Sequence, residues 1–284
     1  MTVADALNDM LVADLDLSRH VIASPQDAVE VTIERMSSAG YPCALVTDTG
    51  RLAGVFTQRD VLMKVVGEPD AATCPTGDLM TRDPRTVEAT QSVADALAVM
   101  NDHHVRNVPV VGDDRSVLGN VSFYVLMEII AGLVADHSLG TPTEVSAHHG
   151  LEFVDFTGLN TRPTVTVHVE DSLEAAVHQM KTRAIGSVFV VDHRENLVGV
   201  VTEFDLQARN AWREPDLAAR SVADFMTHNP VALSARSAIA DAIQEMAASG
   251  FSHVPLLGES GRPIGVASFR DIADYFETTV ALLE

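Results

Sequence analysis

Four segments of this chain repeat one pattern in register, and this repetition restricts the possible folds more than any other feature of the sequence. Each copy contains a stretch that ends in methionine and has apolar residues at the i, i+3, i+4 and i+7 spacing of one buried helical face. Because the copies match without gaps, we predict that one structural unit occurs four times, as repeats 1 to 4. The helical stretches are Asp27–Met36, Gln91–Met100, Asp171–Met180 and Ser237–Met246.

Short apolar runs surround each predicted helix and have the length and β-branched content of strands. The run after the helix is Cys43–Asp48, Asn107–Asp113, Ser187–Asp192 or His253–Glu259. The next run turns into a second helix within Gly54–Val66, Gly119–Ile130, Gly199–Ala211 or Gly265–Phe276. A short first strand is predicted around Val21–Ala23, Arg85–Val87, Val165–Val167 and Val231–Leu233. The unit is therefore β-α-β-β-α, which gives an α/β fold of the α+β type.

The distances between copies group them into two pairs. A Ser or Thr lies 21 or 22 residues after the helix methionine in every copy, at positions 57, 122, 202 and 268. The middle interval is the longest and contains the turn-forming residues of His137–Pro163, and each pair holds a matching connector, Asp78–Pro84 or Asp224–Pro230. We predict one module over 1–136, with repeats at about 14–68 and 77–135, a linker over 137–158, and a second module over 159–284, with repeats at about 159–213 and 221–278.

The charge and apolar content disfavour several classes of partner. Forty acidic residues against nineteen basic ones give a net charge of −21, which repels nucleic acid and anionic lipid. The best apolar stretch, Val125–Ala135, is short and carries Glu128, so no membrane segment is expected. The N-terminus has no basic region typical of a signal peptide, and the two cysteines cannot form a disulfide framework. We expect a cytoplasmic protein.

Motifs for catalysis and for metal binding are not recognisable in the sequence. We find no Walker loop, no G-x-S-x-G elbow and no pair of catalytic carboxylates. The adjacent histidine pairs His103–His104 and His148–His149 point in different directions on regular structure and do not form a chelate. We therefore expect neither an enzyme nor a metal site, and no cofactor is required by this interpretation.

The repeated motifs resemble those of the CBS domain, whose paired form is called a Bateman module. The specific elements are a G-h-h-[ST]-x-x-D ending, where h is apolar, and a D-h-M-T-x-x-P connector, and the resemblance runs from about Leu15 to Glu277. It implies pairs of three-stranded sheets packed through their faces, with clefts between paired repeats. In similar proteins such clefts bind AMP, ADP, ATP or S-adenosylmethionine. The four repeats are similar in arrangement to the γ subunit of AMP-activated protein kinase.

Three of the endings pair a hydroxyl with an acid three residues later, which by itself predicts a helix capping box worth about 0.5–2 kcal/mol. The resemblance implies a further role, because a carboxylate held there could accept both hydroxyls of a ribose diol. Repeat 2 has Val125 in place of the acid, so its cleft is expected to be empty or to bind something else. The expected ribose-binding residues are Thr57, Asp60, Thr202, Asp205, Ser268 and Asp271.

Phosphate and adenine contacts are expected at further positions implied by the resemblance. The position two residues before the strand proline is Asn107 in repeat 2 and His253 in repeat 4, where related proteins place a basic residue. The phosphate candidates are His253, Arg270, Arg59, Asn107, Arg106, Arg82 and His228. Backbone groups near Ile22, Thr86, Thr166 and Ala232 are expected to hold the adenine.

Three functions are compatible with these residues. The first is a regulatory protein that binds an adenine nucleotide and signals to a separate effector protein, whose identity the sequence does not give. The second is a scaffold whose clefts are closed by their own side chains. The third is an enzyme such as a nucleotide hydrolase, which the lack of a recognisable nucleophile disfavours. Whether the chain forms a homodimer is left open.

Overall fold

The structure is a computed structural model that describes residues 3–137, 155–156, 163–268 and 271–272. The four predicted repeats are four β-sheet units with their helices, and a short helix α1 (Val3–Asp9) precedes them. No helix within the described ranges is long and apolar enough to cross a bilayer. Short 3-10 turns lie at Val12–Asp14, Ala71–Thr73, Ala211–Arg213, Leu217–Ala219 and Val222–Asp224.

Repeats 1 and 2 contain the elements up to residue 137. Repeat 1 consists of β1 (Val21–Ala23), α2 (Val29–Ala39), β2 (Cys43–Asp48), β3 (Arg51–Thr57) and α3 (Gln58–Lys64). The connector that follows forms α4 (Thr76–Leu79) and β4 (Thr81–Arg82). Repeat 2 consists of β5 (Val87–Glu88), α5 (Val93–His103), β6 (Asn107–Val111), β7 (Val117–Ser122) and α6 (Phe123–His137).

Repeats 3 and 4 follow the same order. Repeat 3 consists of β8 (Thr166–His168), α7 (Leu173–Thr182), β9 (Ser187–Val191), β10 (Leu197–Thr202) and α8 (Glu203–Ala208). Its connector forms β11 (Thr227–His228). Repeat 4 consists of β12 (Leu233–Ser234), α9 (Ile239–Ser249), β13 (His253–Leu257) and β14 (Pro263–Ser268), after which Asp271 and Ile272 are helical.

The helical stretches form helices that begin two residues after the start of each predicted segment. Side chains that can cap a helix explain this in repeats 2 and 3, where Ser92 accepts a hydrogen bond from the Asp95 amide and Ser172 accepts one from the Ala175 amide. At the other end, Gly40 and Gly250 adopt φ of 69° just after α2 and α9, a left-handed conformation that favours glycine.

The sheets of repeats 1 and 3 have four strands, so the expectation of three-stranded sheets is wrong for these two. The first strand pairs parallel with the second, and the second pairs antiparallel with the third. The additional strand is the connector, where Arg82 is paired with Gly54 and His228 with Gly199. The connectors thereby supply an edge strand to the repeat that precedes them. Repeats 2 and 4 have three strands within the described residues.

Sheet faces meet between the repeats of one pair. Cys43, Leu45 and Val55 of repeat 1 share a small buried cluster with Val111 of repeat 2. The Leu52 amide donates to the Arg115 carbonyl at 3.1 Å across the same boundary. In the second pair, the Thr164 hydroxyl donates to the Pro263 carbonyl at 3.4 Å.

The two large hydrophobic cores run across the pairs, which the sequence pattern does not predict. One core joins repeat 2 to repeat 4, where α6 packs on α9 and both Leu126 and Ile243 are buried. The other joins repeat 1 to repeat 3, where α3 packs on α8 and both Val61 and Leu206 are buried. Burial of this apolar surface is the dominant favourable term in folding, so all four repeats stabilise one another.

Candidate functional site

In repeat 1, the turn from the third strand into the next helix, here called the corner, is a complete capping box. The Thr57 hydroxyl accepts from the Asp60 amide, and Oδ2 of Asp60 accepts from the Thr57 amide at 2.9 Å and the Thr57 hydroxyl at 2.8 Å. The other carboxylate oxygen, Oδ1, lies 2.6 Å from Nζ of Lys64. Lys64 also donates to the Leu79 carbonyl at 2.6 Å. Both oxygens of this buried acid are therefore engaged.

Repeat 3 repeats this arrangement with different partners. Oδ2 of Asp205 accepts from the Thr202 amide at 2.9 Å and from the Thr202 hydroxyl. Oδ1 accepts from the Thr227 hydroxyl at 2.7 Å and lies 3.7 Å from Nε of Arg209. Thr227 belongs to the connector strand, so the additional strand of this sheet also closes the corner.

The corner of repeat 4 is less occupied. Oδ2 of Asp271 accepts from the Ser268 amide at 2.8 Å and the Ser268 hydroxyl at 2.6 Å. No residue among those that the structure describes donates a hydrogen bond to Oδ1. In repeat 2, Ser122 accepts from the Val125 amide at 3.4 Å, and the missing acid leaves the cap without its second half.

A cavity of about 480 Å³, here called the central cavity, is lined by all four repeats. Its walls include Pro42 and Val55 from repeat 1, Tyr124 from repeat 2 and Phe189 from repeat 3. Seven of the predicted site residues line it, so the fold brings together positions that are far apart in the chain. They are Thr57, Arg59, Asp60, Arg106, Asn107, His253 and Ser268.

Glu203 lies in the wall of this cavity and was not among the predicted site residues. Its carboxylate is buried and is bound by two arginines from the other pair. Oε1 lies 3.0 Å from Nε of Arg59, and Oε2 accepts a hydrogen bond from Nη2 of Arg106. The Glu203 carboxylate raises the pKa of Arg106, and burial raises the pKa of the neighbouring Tyr124 hydroxyl.

The remaining predicted positions lie elsewhere. Three predicted ribose-binding residues do not line the central cavity: Thr202, Asp205 and Asp271. Arg82 donates to the Gly77 carbonyl at 2.6 Å, and His228 is exposed on its connector strand. Arg270 lies outside the described residues. The four adenine candidates do not line the central cavity, where their neighbours Arg85 and Val165 do. These are Ile22, Thr86, Thr166 and Ala232, of which Ile22 and Thr166 are exposed.

Among the residues that the structure describes, no group of three or more His, Cys, Asp or Glu side chains is arranged to hold an ion. Cys43 is buried, and burial raises the pKa of its thiol well above the ordinary value, so it is a packing residue of the sheet interface.

These features define a class of protein, in which paired β-α-β-β-α units enclose a ligand-sized cavity with a hydroxyl and acid corner in most units. The pattern of the CBS domain matches residues 12–67, 77–132, 156–209 and 222–278. The chain therefore belongs to the CBS domain family, with four such domains arranged as two Bateman modules.

Two solved structures with the same fold have low sequence identity to this chain. A Methanocaldococcus jannaschii protein, described as a candidate archaeal homologue of g-AMPK, superposes with a TM-score of 0.75 at 15% identity, covering 92% of this chain and 98% of its own. A conserved protein of Pyrococcus horikoshii gives a TM-score of 0.53 at 18% identity, covering 82% and 90%.

A fission yeast protein matches most of this chain in sequence. The meiotically up-regulated gene 70 protein of Schizosaccharomyces pombe is 25% identical over 304 aligned positions. The match covers 89% of this chain and 42% of that protein. This chain thus spans less than two thirds of the length of that relative.

Proposed function

We propose that this protein is a regulatory ligand-binding protein for adenosine-containing molecules of the AMP, ADP and ATP class. The observation that carries the proposal is the corner of repeat 4, where Ser268 lines the central cavity. Asp271 is bound to Ser268 just outside the lining, and no described residue donates to its second carboxylate oxygen. A carboxylate held rigidly by a capping box is suited to accept the two hydroxyls of a ribose.

The size and the chemistry of the cavity support this proposal. A volume of about 480 Å³ falls within the range of small-molecule sites in proteins, which is roughly 300–1,000 Å³. Apolar side chains such as Val55 and Phe189 could contact a base, while Arg59 and Arg106 could bind an anionic group. The occupant would thus have an apolar ring, a diol and at least one acceptor, as a nucleotide does.

The number of repeats around the cavity supports a regulatory role. A ligand that contacts several repeats stabilises the arrangement in which all contacts are made, and so shifts the population of conformers. The surface presented to a separate effector protein would change with it, and the effector would in turn alter ligand affinity. This is the form of allostery that we propose for the chain.

The direct test is isothermal titration of the protein with AMP, ADP, ATP and S-adenosylmethionine. We expect heat of binding for at least one ligand in the micromolar range, and mass spectrometry of the purified protein should detect the same class of molecule. Absence of heat for all four at high micromolar concentration would exclude the proposal.

Mutation of Asp271 needs a control for the loss of a helix cap. Asp95 provides it, because Ser92 and Asp95 form the same capping box on an exposed helix start, with the Ser92 amide and hydroxyl both 2.9 Å from Oδ2. Asp271→Ala should weaken the ligand, whereas Asp95→Ala should leave affinity unchanged.

A scaffolding role is the second candidate, and one observation favours it. In repeats 1 and 3, Lys64 or Thr227 binds one oxygen of the corner acid, and the capping residue binds the other. If the corner of repeat 4 behaved in the same way, Asp60→Ala, Asp205→Ala and Asp271→Ala would change stability, and titration would give no ligand heat in the unmodified protein.

A further inference from the structure

Glu203 holds together residues of three repeats at the wall of the central cavity. It belongs to repeat 3, and it binds Arg59 of repeat 1 and Arg106 of repeat 2. Its side chain is 3% exposed, while the two arginine side chains are 38% and 36% exposed. The acid is thus buried beneath two cations that solvent or a ligand can still reach.

The other repeats have no acid at the same position of the corner. The residue after the corner hydroxyl is Gln58, Phe123 and Phe269 in repeats 1, 2 and 4. Gln58 and Phe123 are buried, as Glu203 is. A neutral residue therefore serves the fold at this position, and the negative charge of Glu203 requires a separate explanation.

Two atoms of this cluster have no hydrogen-bond partner among the described residues. They are Nη1 of Arg59 and Oε1 of Glu203, and both are buried. Oε1 makes an ion-pair contact with Nε of Arg59 at 3.0 Å, but this contact does not have hydrogen-bond geometry. Nη2 of Arg59 is occupied, because it donates to the Ala184 carbonyl at 3.1 Å. A buried donor without a partner is unfavourable, so a conformer in which Arg59 turns and Nη1 gains an acceptor from a ligand would relieve this cost.

Among the described residues, the lining of the cavity offers no excess of positive charge to a phosphate. In that part of the chain, the charged lining residues are three arginines and three acids: Arg59, Arg85, Arg106, Asp60, Asp83 and Glu203. Each phosphate group that enters adds negative charge close to the Glu203 carboxylate. At short range in a partly buried site this repulsion is larger than in water.

We propose that Glu203 is an internal anion that competes with the phosphate of the ligand for Arg59 and Arg106, and so determines how strongly the site prefers a nucleotide to the nucleoside. The inference rests on the proposed function, since it assigns a specificity-determining residue to the same site. Binding of a phosphate would require at least one arginine to leave Glu203. The site would then favour ligands with few phosphate charges.

The test compares unmodified protein, Glu203→Gln and the control Glu170→Gln by titration with adenosine, AMP, ATP and inorganic pyrophosphate. Glutamine keeps the shape and one acceptor but removes the charge, and Glu170 is an exposed acid of the same repeat. We expect Glu203→Gln to strengthen AMP and pyrophosphate binding by about tenfold or more and to change adenosine binding less than about threefold. Glu170→Gln should match the unmodified protein.

The outcomes separate this inference from the proposed function. If adenosine and AMP bind and their affinity ratio is the same with and without the Glu203 charge, the inference is wrong and the proposed function stands. If no adenine ligand binds but pyrophosphate binds more tightly to Glu203→Gln, the proposed function fails and the competition is supported. Weaker AMP binding in a folded Glu203→Gln protein would show a purely structural acid and overturn the inference.

A second measurement does not depend on the variant being folded. A crystal structure of the unmodified protein with AMP should show Arg59 or Arg106 turned from Glu203 to a phosphate oxygen. A bound phosphate beside a Glu203 that keeps both arginines would contradict the inference.

Discussion

The corners of repeats 3 and 4 have the same motif but different surroundings. In repeat 3, Oδ1 of Asp205 is bound by Thr227 and lies near Arg209. In repeat 4, no described residue donates to Oδ1 of Asp271, although the capping half of the motif is the same. The motif therefore supplies a helix cap in both repeats, and the neighbours of the second oxygen decide whether an acceptor remains for a ligand.

The largest difference should appear when the two acids are removed separately. Asp271→Ala should reduce AMP affinity about tenfold to a hundredfold, because hydrogen bonds to a charged acceptor contribute roughly 1.5–3 kcal/mol. Asp205→Ala should reduce it less than about threefold, since its carboxylate is already bound within the protein. Isothermal titration of both variants measures this, and equal losses would remove the distinction between the two corners.

Stability should change in the opposite order. Asp205→Ala removes a cap and the partner of the Thr227 hydroxyl, and is expected to lower the free energy of unfolding by about 1–2 kcal/mol. Asp271→Ala removes the cap and should cost about 0.5–1 kcal/mol. Urea unfolding followed by circular dichroism compares them, with Asp95→Ala as the variant that loses only a cap. A larger loss for Asp271→Ala would contradict the comparison.

The smallest effect is expected when the corner acid of repeat 1 loses the lysine that binds its second oxygen. Lys64→Met removes the ammonium from Oδ1 of Asp60 and should lower stability by about 0.5 kcal/mol, as expected for a partly exposed ion pair. The freed oxygen should increase the affinity or the stoichiometry of AMP binding by at most about threefold. Lys181→Met is the control, because Lys181 donates to the Val66 carbonyl and not to a corner acid. Titration of both variants shows how much of the change in AMP binding comes from freeing Oδ1 of Asp60.

The repeated units and the corner geometry could be predicted from the sequence because they depend on local spacing. A hydroxyl three residues before an acid forms a capping box in repeats 1, 3 and 4 regardless of the rest of the fold. The occupancy of Oδ1 depends on Thr227, 22 residues beyond Asp205, and on whether its strand joins the sheet. That pairing is a tertiary event that residue spacing does not determine.

Glu203 and the cross-pair cores were missed for a related reason. The partners of Glu203 are Arg106 and Arg59, and neither is a neighbour in the chain. An alignment of the four corners contains one signal, since Glu203 is the only acid at a position that is otherwise Gln or Phe. Periodicity shows that a helix has an apolar face, but it does not show that α6 packs on α9 of the other pair.

The most direct test of the account is a thermodynamic cycle between the ribose and Asp271. AMP and 2′-deoxy-AMP are titrated into the unmodified protein and into Asp271→Ala. If the Asp271 carboxylate binds the diol, loss of the 2′-hydroxyl should weaken binding about tenfold in the unmodified protein and have little effect in the variant. Equal affinities of the two ligands for the unmodified protein, or the same loss in both proteins, would contradict the account.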